Sequence, residues 1–245
     1  MSIYSGTAGI FSGKPPVVDE ANPTHELGEK MFSPDGRAWR YVKAGTSNLV
    51  LGNVIQSPAE ATGNQSRIVA AAAVGDTVIT TTDTVTVTAN EYAGGWIIVT
   101  GEASTGTGGQ YRIKSHPAAT AAVCAFTLED PVQVALTATT QVDIVKNPYN
   151  GVIQMPTTYS GAVVGVASNE ITASQYGWIQ VEGVAAVKND SAGAVVVGNL
   201  VVASKTTVGS VQAAANASTE VYSIVGCAVT GIATSEWGAV KLNIA

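Results

Sequence analysis

Apolar and polar positions alternate in short runs along most of this chain, with a period of two. Trp39-Arg40-Tyr41-Val42 alternates large and polar side chains, Gly45 interrupts it, and Leu49-Val50-Leu51-Gly52-Asn53-Val54-Ile55 follows. Gly52-Asn53 between apolar runs predicts a two-residue hairpin, because both residue types accept the positive φ of primed turns. Tyr111-Arg112-Ile113-Lys114 and the C-terminal run to Ile244 alternate in the same way. Further strands are expected within 77–88, 124–128, 132–136, 142–145 and 221–229. Thr and Val dominate there, and β-branching favours the pleated chain over the helix. The pattern predicts an all-β protein, a β-sandwich or β-barrel type body with internally repeated hairpin units.

The same order of residues recurs. Gly177-Trp178-Ile179-Gln180-Val181-Glu182-Gly183 leads through Ala194-Val195-Val196-Val197 to Gly198-Asn199-Leu200-Val201-Val202. Trp39 to Ile55 and Trp178 to Val202 therefore read as two copies of one structural unit. Tyr92-Ala93-Gly94-Gly95-Trp96 followed by Ile97-Ile98-Val99 is a partial third copy, and Trp237 again stands at a strand start. The strand-unit residues are Trp39, Gly52, Asn53, Trp96, Trp178, Gly198, Asn199 and Trp237. At such positions a large ring seals the end of a β layer, so the tryptophans are expected in packing and not in a sugar-binding platform.

Residues 1–34 behave differently. Pro15, Pro16, Pro23 and Pro34 fix φ and remove backbone donors, which predicts an extended N-terminal arm. Ile3, Tyr4, Ile10 and Phe11 on that arm are the candidate contacts to a partner or to another copy of the chain, since a neighbour would cover them. The turn-rich stretch Asn147-Pro148-Tyr149-Asn150-Gly151 suggests β domains at 35–150 and 151–245, the second packing with 35–60, although a surface loop within one domain fits equally.

Composition narrows the class. Of 245 residues 46% are hydrophobic, largely Ala and Val, and only 12% are charged, against roughly 25% in ordinary domains. A weakly charged surface points to cover by copies of the chain or by a partner; a neutral Thr/Ser face is the alternative. The net charge is −6 without a Lys or Arg run, which argues against nucleic acid. No stretch reaches the roughly 18 apolar residues of a membrane span. The N-terminus lacks the basic start and apolar core of a signal peptide, so synthesis in a cytoplasm is expected. Cys124 and Cys227 each sit in an apolar run and read as buried free thiols, with a disulfide left open.

Candidate chemistry is sparse. His25 lies in the arm and His116 precedes Pro117, both expected in surface loops outside any nucleophile context. No Cys-x-x-Cys, His-x-x-x-His or calcium-loop spacing occurs, and Glu129-Asp130-Pro131 reads as a solvated turn. Gly106-Thr107-Gly108-Gly109 lacks the Lys-Ser/Thr of a phosphate loop and precedes a strand, so it reads as a turn. Neither a catalytic residue nor a metal ligand nor a cofactor is expected, and the chain reads as non-enzymatic.

Asp35-Gly36-Arg37-Ala38-Trp39-Arg40-Tyr41-Val42-Lys43-Ala44-Gly45 resembles the N-terminal region of virion proteins from tailed bacteriophages. Gln110 to Lys114, Leu128-Glu129-Asp130-Pro131, Asn147 to Val152 and Tyr176-Gly177-Trp178 add to the resemblance. Within that group the chain is most similar to capsid decoration, or cement, proteins. The resemblance implies a structural virion protein, made in the host cytoplasm, that sits on the outer capsid surface and clamps the major capsid protein. It also implies self-association, often as a trimer. A phage tail or baseplate component and a receptor- or glycan-binding β module share the composition and remain alternatives.

Overall fold

The computed structural model describes residues 19–101, 106–190, 192–214 and 223–244. Among them every regular element is a strand, apart from one 3-10 turn at Thr62–Asn64. The strands are β1 (Lys30–Phe32), β2 (Ala38–Ala44), β3 (Val54–Gln56), β4 (Arg67–Ile68), β5 (Val78–Thr80), β6 (Val85–Val87), β7 (Trp96–Val99), β8 (Gln110–Ser115) and β9 (Ala119–Ala122). They continue with β10 (Ala125–Leu128), β11 (Gln141–Val145), β12 (Asn150–Gln154), β13 (Val163–Ala167), β14 (Tyr176–Lys188), β15 (Leu200–Ala203), β16 (Val211–Ala213), β17 (Ile224–Ala228) and β18 (Trp237–Asn243). The expected all-β body is present. The apolar run 132–136 forms no strand; Leu136 bridges to Ala72, and Val132 exchanges backbone hydrogen bonds with Gly75 and Asp76.

The chain divides into two compact units, Met1–Ala59 with Pro148–Ala245, and Glu60–Asn147. One crossing falls in the turn-rich stretch expected to hold a boundary. The other, at Ala59 and Glu60, falls inside the region expected to be a single domain, 35–150. Residues 35–59 build their barrel with strands after 148.

In the first unit β2, β12, β3, β13 and β14 close into a five-stranded barrel, because β14 pairs back onto β2. Only the β2–β12 contact is parallel. Its interior holds Val42, Leu49, Ile55, Val152, Val164, Ile171 and Ile179. Strand β14 is long enough to serve twice: after Glu182 it leaves β2 and pairs with β18. A second curled sheet follows, β14-β18-β17-β15-β16, and a parallel bridge from Asn189 to Val211 returns β16 to the end of β14. Strand for strand, the second sheet repeats the pairing of the first, including its parallel contact.

The repeat is therefore real, but its phase differs from the expected one. Gly52-Asn53 and Gly198-Asn199 do occupy matching places. The tryptophans do not: Trp39 faces Gln180 and Trp178 faces Tyr41 across one strand pair, so both belong to the first barrel. Trp96 lies on β7 in the other unit, between β8 and β11, and is not a third copy. The matching segments are Val164-Gly165-Val166-Ala167 with Val225-Gly226-Cys227-Ala228, Ile171 with Ile232, and Gly177 with Gly238. Ser174 and Ser235, at φ 66° and 62°, share even the left-handed backbone of the turn between them.

Both Gly-Asn dipeptides turn the chain, with Asn53 N–H donating to Val50 O at 3.1 Å and Asn199 N–H to Val196 O at 3.0 Å. Gly52 and Gly198 supply the positive φ, at 79° and 84°, that a side chain resists there. The flanking runs do not pair with each other as in a hairpin. Leu49 and Val54 both lie opposite β13 and its continuation, facing Ile171 and Val166, just as Val195 and Leu200 face Ile232 and Cys227. Each turn is a break within one edge of the ladder.

In the second unit β4-β11-β7-β8-β10-β5 form one antiparallel sheet, whose edge strands meet again at the Val69–Thr81 bridge. The strands β6 and β9 pair separately. Ile79, Tyr92, Ile97, Tyr111, Ile113 and Phe126 fill this unit's own core. The glycine-rich stretch after β7 is a turn, as expected, with Gly109 N–H donating to Gly106 O at 2.8 Å.

Candidate functional site

Residues 19–34 are not a free arm. They lie on the outer face of the first barrel, where Lys30 to Phe32 pair with Arg40 to Ala38 as β1. Alternation along β2 sends Val42 and Ala44 inward and Trp39 and Tyr41 outward. Outside, Trp39, Tyr41 and Trp178 cluster with Met31 and Leu27 and are almost completely buried. His25 packs edge-on against Tyr41 and Trp178, with ring centroids 5.2 and 5.0 Å away, and its Nδ1 lies 3.2 Å from Glu29 Oε2. Tyr41 Oη donates to Glu20 Oε2 at 2.6 Å, and Glu20 exchanges backbone hydrogen bonds with Tyr176. Asp19 accepts from Thr172, and Lys30 pairs with Glu182. This strap belongs to the barrel it covers. Ile3, Tyr4, Ile10 and Phe11 lie outside the described residues.

Two further titratable side chains, His116 and Cys124, are also engaged internally. His116 was expected at the surface and is buried instead, because it plugs the core between Tyr92 and Phe126. Tyr92 N–H donates to its Nε2 at 3.0 Å, and its Nδ1 lies 2.8 Å from Pro117 O, an arrangement satisfied by a neutral ring protonated at Nδ1. Cys124 Sγ sits 3.9 Å from that same Nδ1. Burial pushes the Cys124 thiol above its ordinary value, opposite to the shift that activates a nucleophile. A histidine that spends both ring nitrogens on backbone groups positions the chain and accepts no proton from the thiol.

Asp190, 1% exposed, sits just beyond β14. Its carboxylate accepts from Ser204 Oγ at 2.7 Å, Thr206 Oγ1 at 3.0 Å and Ala192 N–H at 2.9 Å. Beside it Asn189 Nδ2 donates to Gly193 O and Ala233 O, at 2.8 and 3.1 Å. These two side chains hold together loops of the second barrel; nothing in the sequence pattern distinguished them from solvated loop residues. Among the described residues no group of three or more His, Cys, Asp and Glu is placed to hold a metal ion.

On the outer face of the first barrel, Val54, Val166, Gln180 and Trp39 form one cross-strand row, each directly opposite the next. The matching row on the second barrel is Leu200, Cys227, Lys241 and Val184. The first row is buried, at 0%, 1%, 4% and 0% exposure. The second row is exposed throughout, Leu200 at 48% and Val184 at 49%. Cys227, expected to be buried, is exposed because it lies on this row, and both cysteines are free thiols. Ile224, Val229, Val196, Val197 and Trp237 on the same barrel are exposed as well. Trp39 and Trp178 pack as expected, whereas Trp237 stands 55% exposed with Lys188 Nζ 5.3 Å from its ring centre.

No helix among the described residues is long and apolar enough to cross a membrane. No family model, curated protein or solved structure matches this chain.

Proposed function

We propose that this chain is a non-enzymatic structural virion protein that binds the outer surface of a bacteriophage capsid and stabilises the shell, acting with copies of itself. The observation that carries the reading is the exposed apolar outer face of the second barrel, in a chain only 12% charged. A surface of that kind is suited to burial against another protein. The stretches that resemble decoration proteins support the narrower assignment to the capsid. A standard interface of about 1,600 Å² suffices for stable attachment, and repetition over a lattice adds avidity.

The test mixes the purified protein with expanded, undecorated capsids and images the particles. Regular added density on the shell is the expected result; bare shells, or density confined to tails, overturn it. The arm is tested by deleting residues 1–18. A longer deletion to residue 30 would strip the strap from Trp39, Tyr41 and Trp178 and confuse unfolding with lost binding. Undiminished attachment of the shorter truncation removes Ile3, Tyr4, Ile10 and Phe11 from the mechanism.

The exposure of Trp237 favours one second reading, a glycan-binding module, since an accessible indole is the group such modules stack on sugar rings. Saturable binding on a glycan array, lost in Trp237→Ala, would support it.

A further inference from the structure

The two barrels of the first unit repeat one pairing scheme, so each position in one has a counterpart with the same backbone surroundings. The row Val54-Val166-Gln180-Trp39 shows what that surface does when it is satisfied. Val54 and Val166, although outside their own barrel, belong to the core cluster of the next one, with Val187, Val195 and Val211. Gln180 Nε2 donates to Glu182 O and Val184 O, at 2.9 and 3.0 Å, and Trp39 lies under the strap. The first repeat therefore buries this face mainly against a second barrel of its own kind.

The second repeat has the same face, and among the described residues no barrel packs on it. In repeat architectures a face left without a neighbouring repeat is usually polar. Here the open face carries Leu200, Cys227 and Val184, with Ile224 beside them, and Lys241 as its one charge in the row. A hollow runs along it between Leu200, Ile224 and Cys227 on one side and Lys241 and Asn243 on the other. An open face that keeps an interface composition is suited to continue that interface between chains.

We propose that the outer face of the second barrel, centred on the row Leu200-Cys227-Lys241-Val184, is the self-association surface of this protein and takes a second copy of the chain. Within the chain, the matching face is already buried by a like barrel, which is why the occupant is another copy. This deepens the self-association part of the proposed function, and it is tested without capsids, so its failure leaves capsid attachment standing.

The experiment is sedimentation velocity of the full chain across a concentration series, for the wild type, the double variant Leu200→Asp/Val184→Asp and the control Val74→Asp. Val74 is 65% exposed in the other compact unit. The wild type and the control are expected to sediment as oligomers, and the double variant at the 24.9 kDa of one chain, with its far-ultraviolet dichroism and melting temperature unchanged. Maleimide labelling is the second measurement: Cys227 should react more slowly as the wild type is concentrated, with no such slowing in the double variant. A wild type that stays at one chain's mass overturns the proposal and leaves the face to residues 1–18 of its own chain or to the capsid. An unchanged oligomer in the double variant, or Cys227 labelling that ignores assembly, also overturns it. If the double variant unfolds, the labelling of the wild type alone decides the matter.

Discussion

Tyr41 Oη donates a 2.6 Å hydrogen bond to the Glu20 carboxylate, tying the N-terminal strap to the barrel wall it covers. The tyrosine ring is also stacked between others, with Trp178 edge-on at 5.1 Å and Tyr176 parallel at 6.1 Å. The hydroxyl is thus both the strap's anchor and part of a packed aromatic cluster.

Tyr41→Phe should destabilise the first unit by about 1 to 2 kcal/mol, the worth of a hydrogen bond to a charged acceptor. Burial, aided by the bond to Glu20, pushes the Tyr41 hydroxyl above its ordinary value of 10.0. In the unfolded chain the proton leaves near the ordinary value while the folded chain still holds it. The contribution of this group is therefore complete below about pH 10 and is lost as the pH rises through the folded value. Urea titrations at neutral and alkaline pH check both points: the wild type should lose stability above pH 10 more steeply than Tyr41→Phe.

Asp190→Ala should cost about 2 to 4 kcal/mol, because Ser204, Thr206 and the Ala192 N–H lose their common acceptor in a buried site. Asp190→Asn, which keeps one carbonyl oxygen, should cost less. Denaturant unfolding of the two variants measures the difference. Equal and negligible losses would mean that the carboxylate is not the clamp its contacts describe.

The strand pattern was legible because β-branching and alternation act locally: runs such as Tyr111 to Lys114 and Val142 to Val145 form strands where they were expected. The repeat was legible only in its Gly-Asn turns, whose positive φ ties residue type to conformation. Its true phase was hidden, because Trp39 and Trp178 are the most visible residues and owe their burial to the strap, which belongs to one barrel only. The strap itself read as a loose arm since prolines and polar residues obscure the contacts of Leu27 and Met31. His116 and Asp190 were missed for a different reason: their burial depends on residues distant in sequence, and neither sits in a local pattern that marks it. The exposed row could be found only by comparing the two barrels position by position.

The division of the chain gives the sharpest contrast between sequence expectation and fold. If residues 35–150 were one domain, that fragment would fold alone. In the structure it lacks β13 and β14, which supply the walls on either side of β3 and β2. Residues 60–147, by contrast, hold a core composed only of their own side chains, from Val69 to Ile144. The strands that flank this segment are themselves antiparallel neighbours, with Gln56 opposite Ile153, so a tight turn can join them directly. Three expression products follow. Residues 60–147 alone should melt cooperatively and give dispersed amide resonances. The chain with 60–147 replaced by an Asn-Gly turn should keep the barrel core, seen as native near-ultraviolet dichroism from buried Trp39 and Trp178. The fragment 35–150 should retain only the structure of its inserted segment. A cooperative fold spanning 35–59 in that last fragment would refute the assignment of those residues to the C-terminal barrel.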